Sequence, residues 1–181
     1  PGPIDINTII NEDGAHFLEF TPRLGYPASY IQLSSIQDDW GQVLERVATG
    51  TFKGFTPKPQ PWCMGVMVTV PQWPYDRSPD FKQAPWFHRL DYEKQGKLGR
   101  HHDAVHLIDA YQDPQGVLRC LGTDGELMCV TSTGDSILEA EAKCYRICRE
   151  VYLHNMGWRD DIGEGLRLKD LARWDYWLPD H

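Results

Sequence analysis

In the run Leu18-Glu-Phe-Thr-Pro-Arg-Leu-Gly25, a carboxylate, a hydroxyl and a guanidinium stand at alternate positions: Glu19, Thr21 and Arg23. Residues two apart on a strand point to one face, so Glu19 and Thr21 can present oxygen to the same ligand. A hard cation such as Mg²⁺ prefers oxygen donors and is typically held by one or two carboxylates plus phosphate. Arg23 follows in the loop. Asp5 and Asn7 share a face of the preceding segment and offer further oxygen, and the spacing does not choose between them. The plain alternative for Glu19 is a solvated strand-end carboxylate, or one paired with Arg23.

Other chemistry-bearing residues have bland readings that come first. His101-His102-Asp103 lacks further ligands at metal-binding spacing and reads as a solvated loop. His106 is a lone histidine in a strand pattern, where packing is the default. Arg159 and Asp161 suit an ion pair that fixes a turn. Trp158, Trp174 and Trp177 fit core or interface positions. The five cysteines contain no C-x-x-C pair, and Cys144 and Cys148 are spaced for one buried helix face. Unpaired thiols favour a reducing, cytoplasmic setting.

The elements that must position these residues follow from periodicity. Ile4 to Asn11 and Ala15 to Phe20 read as strands joined through Asn11-Glu-Asp-Gly14, a hairpin. Thr21 to Tyr30, with two prolines and a glycine, reads as a shaped loop. Ile36, Trp40, Val43, Leu44 and Val47 predict a helix capped by Ser34 or Ser35 and stopped at Gly50. Residues 51–61 read as a linker or crossing loop, and Trp62 to Val70 as a buried strand. Residues 71–100 form a long connection rich in proline and aromatics. Ala104 to Tyr111 and Val117 to Leu121 flank the turn Asp113-Pro-Gln-Gly116, and Glu126 to Ser132 gives another strand. Ser136-Ile-Leu-Glu139 is a capping box for a helix expected to reach Asn155-Met-Gly157. A last short helix is expected from Leu166 to Trp174, packing by Leu168, Leu171 and Trp174.

The 181 residues suffice for one domain, or for one small domain plus part of another. The formal charge of −8 argues against a non-specific grip on nucleic acid or anionic membrane. No run approaches the roughly 20 apolar residues of a membrane span, and no signal peptide is recognisable. The chain opens on Pro1 and almost directly into a strand, as a fragment of a longer protein would.

Gly125-Glu-Leu-Met-Cys-Val-Thr-Ser-Thr-Gly-Asp-Ser136, the helix after it and Trp158-Arg-Asp-Asp-Ile-Gly163 resemble the phosphoribosylamine–glycine ligase (glycinamide ribonucleotide synthetase) family. That family's last domain closes with a G-x-x-L-x-V-T-x-x-G strand, a helix and an R-x-D-I-G turn. The 18–25 run resembles the Glu-x-Asn strand of ATP-grasp ligases, with its following Arg. The match is close at the two ends and thin between them, where residues 78–103 look like an insertion.

The resemblance implies an α+β chain in two parts. Residues 1–55 would be the C-terminal end of an ATP-grasp lobe, a β-hairpin plus helix. Residues 60–181 would be a small antiparallel β-rich closing domain with one long C-terminal helix, similar to a rudimentary hybrid motif. It implies ATP and Mg²⁺ as cofactors of the intact enzyme, small-molecule substrates, and an upstream ATP-grasp lobe on the same or a separate polypeptide. Glu19 and Thr21, with Asp5 or Asn7, would hold the metal, and Arg23 would steady an acyl phosphate. Arg159 and His106 would lie near substrate, Arg159 on a phosphate. Two departures stand out. Thr21 occupies the place of the family's metal-binding Asn, and Gly25-Tyr-Pro-Ala28 replaces Gly-Asp-Pro-Glu, removing both carboxylates. These departures leave room for a different amine and carboxylate pair, or for a non-catalytic binding or assembly module on the same scaffold.

Overall fold

The computed structural model describes residues 2–11, 13–60, 62–70, 73, 91–92, 101–120, 125–152 and 156–170. Strands β1 (Asp5–Asn11) and β2 (Gly14–Thr21) form the expected antiparallel hairpin. Helices α1 (Ala28–Ser34) and α2 (Trp40–Ala48) follow. Strand β3 (Trp62–Thr69) and the two-residue β4 (Asp91–Tyr92) come next. Then come β5 (Val105–Leu107), β6 (Ala110–Gln112), β7 (Leu118–Cys120) and β8 (Glu126–Gly134). Helix α3 (Ile137–Cys148) and β9 (Val151–Tyr152) precede a five-residue π-helical stretch, Leu166–Asp170. This is the α+β architecture expected from the sequence.

The centre is a three-stranded antiparallel sheet in the order β3–β8–β5. Its two faces are covered by different helices. Met64, Val66 and Val68 of β3, with Met128 and Val130 of β8, pack against Ala140, Cys144, Ile147 and Cys148 of α3. On the other face Ile31 of α1 lies over Gly65. A Cβ added at Gly65 would sit 2.5 Å from Ile31 Cγ1, so the bare backbone is what lets α1 approach. With helices on both sides, Leu127 to Ser132 are buried one after another, which explains their near-continuous apolar run.

The motif glycines acquire physical reasons. Gly134 ends β8 where α3 begins, and an added Cβ would lie 2.6 Å from the Ala140 nitrogen and 2.9 Å from the Ser136 oxygen. Gly163 has φ +90° and faces Glu141, so it both turns and makes room. Ser136 caps α3 as expected, its Oγ accepting from the Glu139 N–H at 3.1 Å, while Glu139 Oε2 reaches one residue past the cap and accepts from the Asp135 N–H at 2.8 Å.

Four expectations change. Part of the 21–30 loop belongs to α1, which starts directly after Pro27. Ser34 and Ser35 therefore end a helix instead of starting one. The cap of α2 is Asp39, whose Oδ1 accepts from the Gln42 N–H at 3.0 Å, and Ile36 bridges to Pro57. Helix α3 stops at Cys148, because Val151 and Tyr152 pair with Tyr92 and Asp91; Asn155 lies outside the described residues. Finally, the 104–111 strand is two strands. Val105–Leu107 joins β8, while Ala110–Gln112 pairs with Leu118–Cys120. Of the last helix only residues up to 170 are described. Leu171, Trp174, Trp177 and most of 78–103 lie outside the description.

Gly134→Ala is expected to destabilise the chain by about 1–3 kcal/mol, because the clash is with backbone that cannot rotate away. Gly157→Ala, with nothing within 4 Å of the new Cβ, is expected to stay within about 0.5 kcal/mol. Urea unfolding of the two variants checks the contrast.

Candidate metal and phosphate site

The register of the hairpin sets Asp5 opposite Thr21 and Asn7 opposite Glu19. A bulge follows: Thr8 pairs with Phe17, so Leu18 has no partner. Bulges re-aim side chains, and here the Phe17 and Phe20 rings come within 4.5 Å of each other. The four polar residues stay together. Asn7 Nδ2 donates to Thr21 Oγ1 at 3.1 Å and to Glu19 Oε1 at 3.4 Å. Asp5, Asn7 and Thr21 are half-buried, whereas Glu19 and Arg23 are exposed.

Arg23 curls back onto this face. Its Nη1 donates to the Leu24 carbonyl at 3.0 Å and lies 4.0 Å from Asp5 Oδ2. Gly25 is buried against the same carboxylate, and an added Cβ would be 2.8 Å from Asp5 Oδ2. The structure thus separates two residues that spacing left equivalent: Asn7 touches Glu19 and Thr21, while Asp5 faces Arg23 and Gly25. Among the described residues no three His, Cys, Asp or Glu side chains are grouped to hold a metal ion. The hairpin set is two carboxylates, a carboxamide and a hydroxyl. Its oxygens suit a small hard cation completed by phosphate or water. Turning the Asn7 carboxamide about its last bond would present Oδ1 in place of Nδ2.

The remaining sequence candidates lie elsewhere. His106 stacks on Tyr30, with ring centroids 5.0 Å apart, and its Nε2 is 3.0 Å from Thr131 Oγ1. Thr131 also accepts from Ser34 Oγ at 2.7 Å. His106 is therefore a seam residue between α1 and the sheet, and burial lowers its pKa. Arg159 holds Asp161 by a two-pronged pair, Nε to Oδ1 at 2.9 Å and Nη2 to Oδ2 at 2.7 Å. The same pairing lowers the Asp161 pKa and raises that of Arg159. Beside them the Ile162 N–H donates to Tyr145 Oη at 2.9 Å, tying the turn to α3. His101 sits 3.0 Å from Glu150, and His102 lies 3.0 Å from Asp103, its own neighbour in the chain. The described thiols Cys63, Cys129, Cys144 and Cys148 are free. Burial pushes Cys129 up to about 12, which keeps it an unreactive thiol.

Sequence reasoning missed a second set. Tyr26 Oη donates to Glu126 Oε2, and Trp73 Nε1 donates to Glu126 Oε1 at 2.8 Å. Tyr26 also meets Tyr30 edge-on at 6.1 Å. The only signal was the replacement of the loop carboxylates by Tyr26 and Ala28. Partners 100 residues apart leave no trace in local spacing.

His106 gives a pH dependence. Its folded pKa lies below its unfolded value of about 6.5, so the unfolded chain binds more protons and stability rises with pH in that window. Its contribution is complete above about 6.5 and is lost as pH falls through the lowered folded pKa. Between pH 7.5 and 5.5 the wild type is expected to lose more urea stability than His106→Gln. Equal losses would show that His106 does not carry the effect.

No family model matches the chain. Phosphoribosylamine–glycine ligase from Neisseria meningitidis serogroup A is 26% identical over 159 residues, covering 86% of this chain and 34% of its own length. The Streptococcus pneumoniae protein of the same name is 24% identical over 171 residues, covering 90% of this chain and 36% of its own. A crystal structure of phosphoribosylamine–glycine ligase from Thermotoga maritima superposes with a TM-score of 0.66 at 13% identity, over 87% of this chain and 36% of that one. The chain thus shares that fold and is similar to the C-terminal part of these relatives. It spans about a third of their length.

Proposed function

We propose that this chain is the C-terminal portion of an ATP-dependent carboxylate–amine ligase of the phosphoribosylamine–glycine ligase type. Residues of about 1–55 end its ATP-grasp lobe, and residues of about 60–181 form its closing domain. The observation that carries this reading is the joint placement of Asp5, Asn7, Glu19 and Thr21 on one hairpin face, with Arg23 folded back beside them. The relatives' name supplies the reaction class.

In the intact enzyme Glu19, with Asn7, Thr21 and Asp5, would hold Mg²⁺, which supplies positive charge against the phosphates of ATP. Catalysis of phosphoryl transfer is mostly positioning and charge stabilisation. Arg23 adds a permanent cation with a planar fork suited to an acyl phosphate. ATP would pass its γ-phosphoryl group to a substrate carboxylate with release of ADP, and an amine would then attack the acyl carbon, the C–N bond forming as the C–O bond to phosphate breaks. Arg159 can join a substrate phosphate only through the donors that Asp161 leaves open, and His106 acts by holding α1.

The chain alone leaves apolar surface uncovered. Ile4, Ile6, Phe17, Leu18 and Phe20 of the hairpin are each more than half exposed. Beside them runs a groove of about 710 Å³ between the hairpin's start, α2 and Phe52 and Phe55. About two-thirds of the relatives' own length lies outside the part that this chain matches. These apolar surfaces fit the upstream lobe, which would also bring the adenine pocket, so the isolated chain is expected to turn over nothing. Free thiols suit a reducing cytoplasm. Among the described residues no helix is long and apolar enough to cross a membrane.

The test is an assay of the intact protein, upstream lobe included, for Mg²⁺-dependent phosphate release from ATP. Phosphoribosylamine is offered with glycine and with a panel of other amino acids. Turnover with glycine is expected, and turnover with another amino acid alone would move the substrate assignment to the altered 25–28 loop. Glu19→Gln is expected to lower activity by at least about tenfold and to raise the Mg²⁺ requirement. ATP binding without turnover on any pair would overturn the enzyme reading in favour of a binding module.

A further inference from the structure

The loop that leads away from the candidate metal face is held from the far end of the chain. Glu126 begins β8, and β8 carries an extra residue there: Val68 pairs with Met128 and Thr69 with Glu126, leaving Leu127 without a partner on β3. Without the extra residue, Glu126 would point with Met128 and Val130 toward α3. The bulge turns it to the opposite face, where Tyr26 and Trp73 each donate to one of its oxygens. No cation pairs with Glu126 among the described residues. The carboxylate is held by two neutral donors, each on a rigid aromatic frame. Hydrogen bonds to a charged acceptor are the stronger kind. Burial and the Glu126 carboxylate together push the Tyr26 phenol far above its ordinary range, so it stays a donor.

Tyr26 is one residue from Gly25, and Gly25 is pressed against Asp5. Arg23 Nη1 holds the Leu24 carbonyl within the same turn. Ser29, in the first turn of α1, donates its N–H to the Gly25 carbonyl at 2.7 Å. That helix is held to β8 a second time, by Ser34 on Thr131. Loop and helix are therefore pinned to one strand at two points, Glu126 and Thr131. A loop pinned only through α1 would leave Leu24 and Gly25 free to slide along Asp5.

We propose that Glu126, acting through Tyr26, is a positioning residue for Arg23 and Asp5: the closing sheet sets where the guanidinium stands over the metal face. The structural part of this is independent of any activity. The catalytic part rests on the ligase reading above. It also gives the Tyr26 substitution a role, since a carboxylate at position 26 would meet Glu126 with like charge.

The experiment has two arms. In this chain, amide exchange at Arg23, Ser29 and Tyr30 is followed in Tyr26→Phe, Glu126→Gln and Glu126→Ala. Removing one such hydrogen bond is expected to speed exchange at these amides about tenfold. Val66 and Val130 in the sheet should be unchanged, and Gln should lie between Glu and Ala. Uniform acceleration across the chain, or none at 23–30, overturns the clamp.

In the intact protein, Tyr26→Phe and Glu126→Gln are expected to lower kcat about tenfold while leaving KM for ATP within about twofold, with Glu126→Gln the milder. Loosened loop amides with an unchanged kcat would overturn the positioning role while leaving the clamp. Should the intact wild type show no ligase activity, the functional reading fails and only the exchange result judges the clamp.

Discussion

Strand β8 has no solvent side, and the rest of the structure is arranged around that constraint. It hydrogen-bonds to β3 along one edge and β5 along the other, and both its faces are covered by helices. A strand in this position must be apolar at consecutive positions or satisfy each polar atom in place. Both solutions are used. Leu127, Met128 and Val130 fill the core, while Thr131 meets Ser34 and His106, and Ser132 donates to the Ala140 carbonyl at 2.6 Å. Each polar pairing fastens a helix, α1 in the first case and α3 in the second.

This arrangement separates the residues that identify the scaffold from those proposed to do chemistry. The glycines and the strand–helix–turn string of residues 125–163 answer close packing: Gly134 under the start of α3, Gly163 over Glu141, and Arg159 clasped by Asp161. None of them need touch a substrate to be required. The groups with open oxygen valences lie on the hairpin near the start of the chain, Asp5, Asn7 and Thr21 half-buried and Glu19 exposed. The hairpin also exposes Ile4, Ile6, Phe17, Leu18 and Phe20, an apolar surface that the upstream lobe would cover on the ligase reading proposed above.

Much of the fold was readable locally. Alternation in Ile4–Asn11 and Ala15–Phe20 gave the hairpin, and the apolar run at 62–70 gave the buried strand. The Ser136 and Glu139 pair gave the start of α3. Those signals depend only on neighbours within a few residues, so tertiary context had little to change. Endings were less readable. Helix α3 had apolar residues at helical spacing as far as Val151, but pairing with residues 91 and 92 captured Val151 and Tyr152 as a strand. Helix α1 was hidden because two prolines and a glycine in 21–30 look like loop chemistry. Its seven residues are held mainly by contacts to β3 and β8.

For the candidate site the division is similar. Residue types at alternate positions placed Glu19 and Thr21 on one face, as strand geometry requires, and the motif glycines were legible as a string. The sequence by itself therefore determined the α+β class, the hairpin and the candidate donor set. The Arg159–Asp161 pair, two residues apart, was legible as an ion pair fixing a turn. The tertiary structure alone decided that Asn7 and not Asp5 touches Glu19, and that Glu126 holds Tyr26. Local spacing is governed by the backbone period. Which side chains meet across 14, or 100, residues is set by register, a bulge and the close approach of a helix over a glycine.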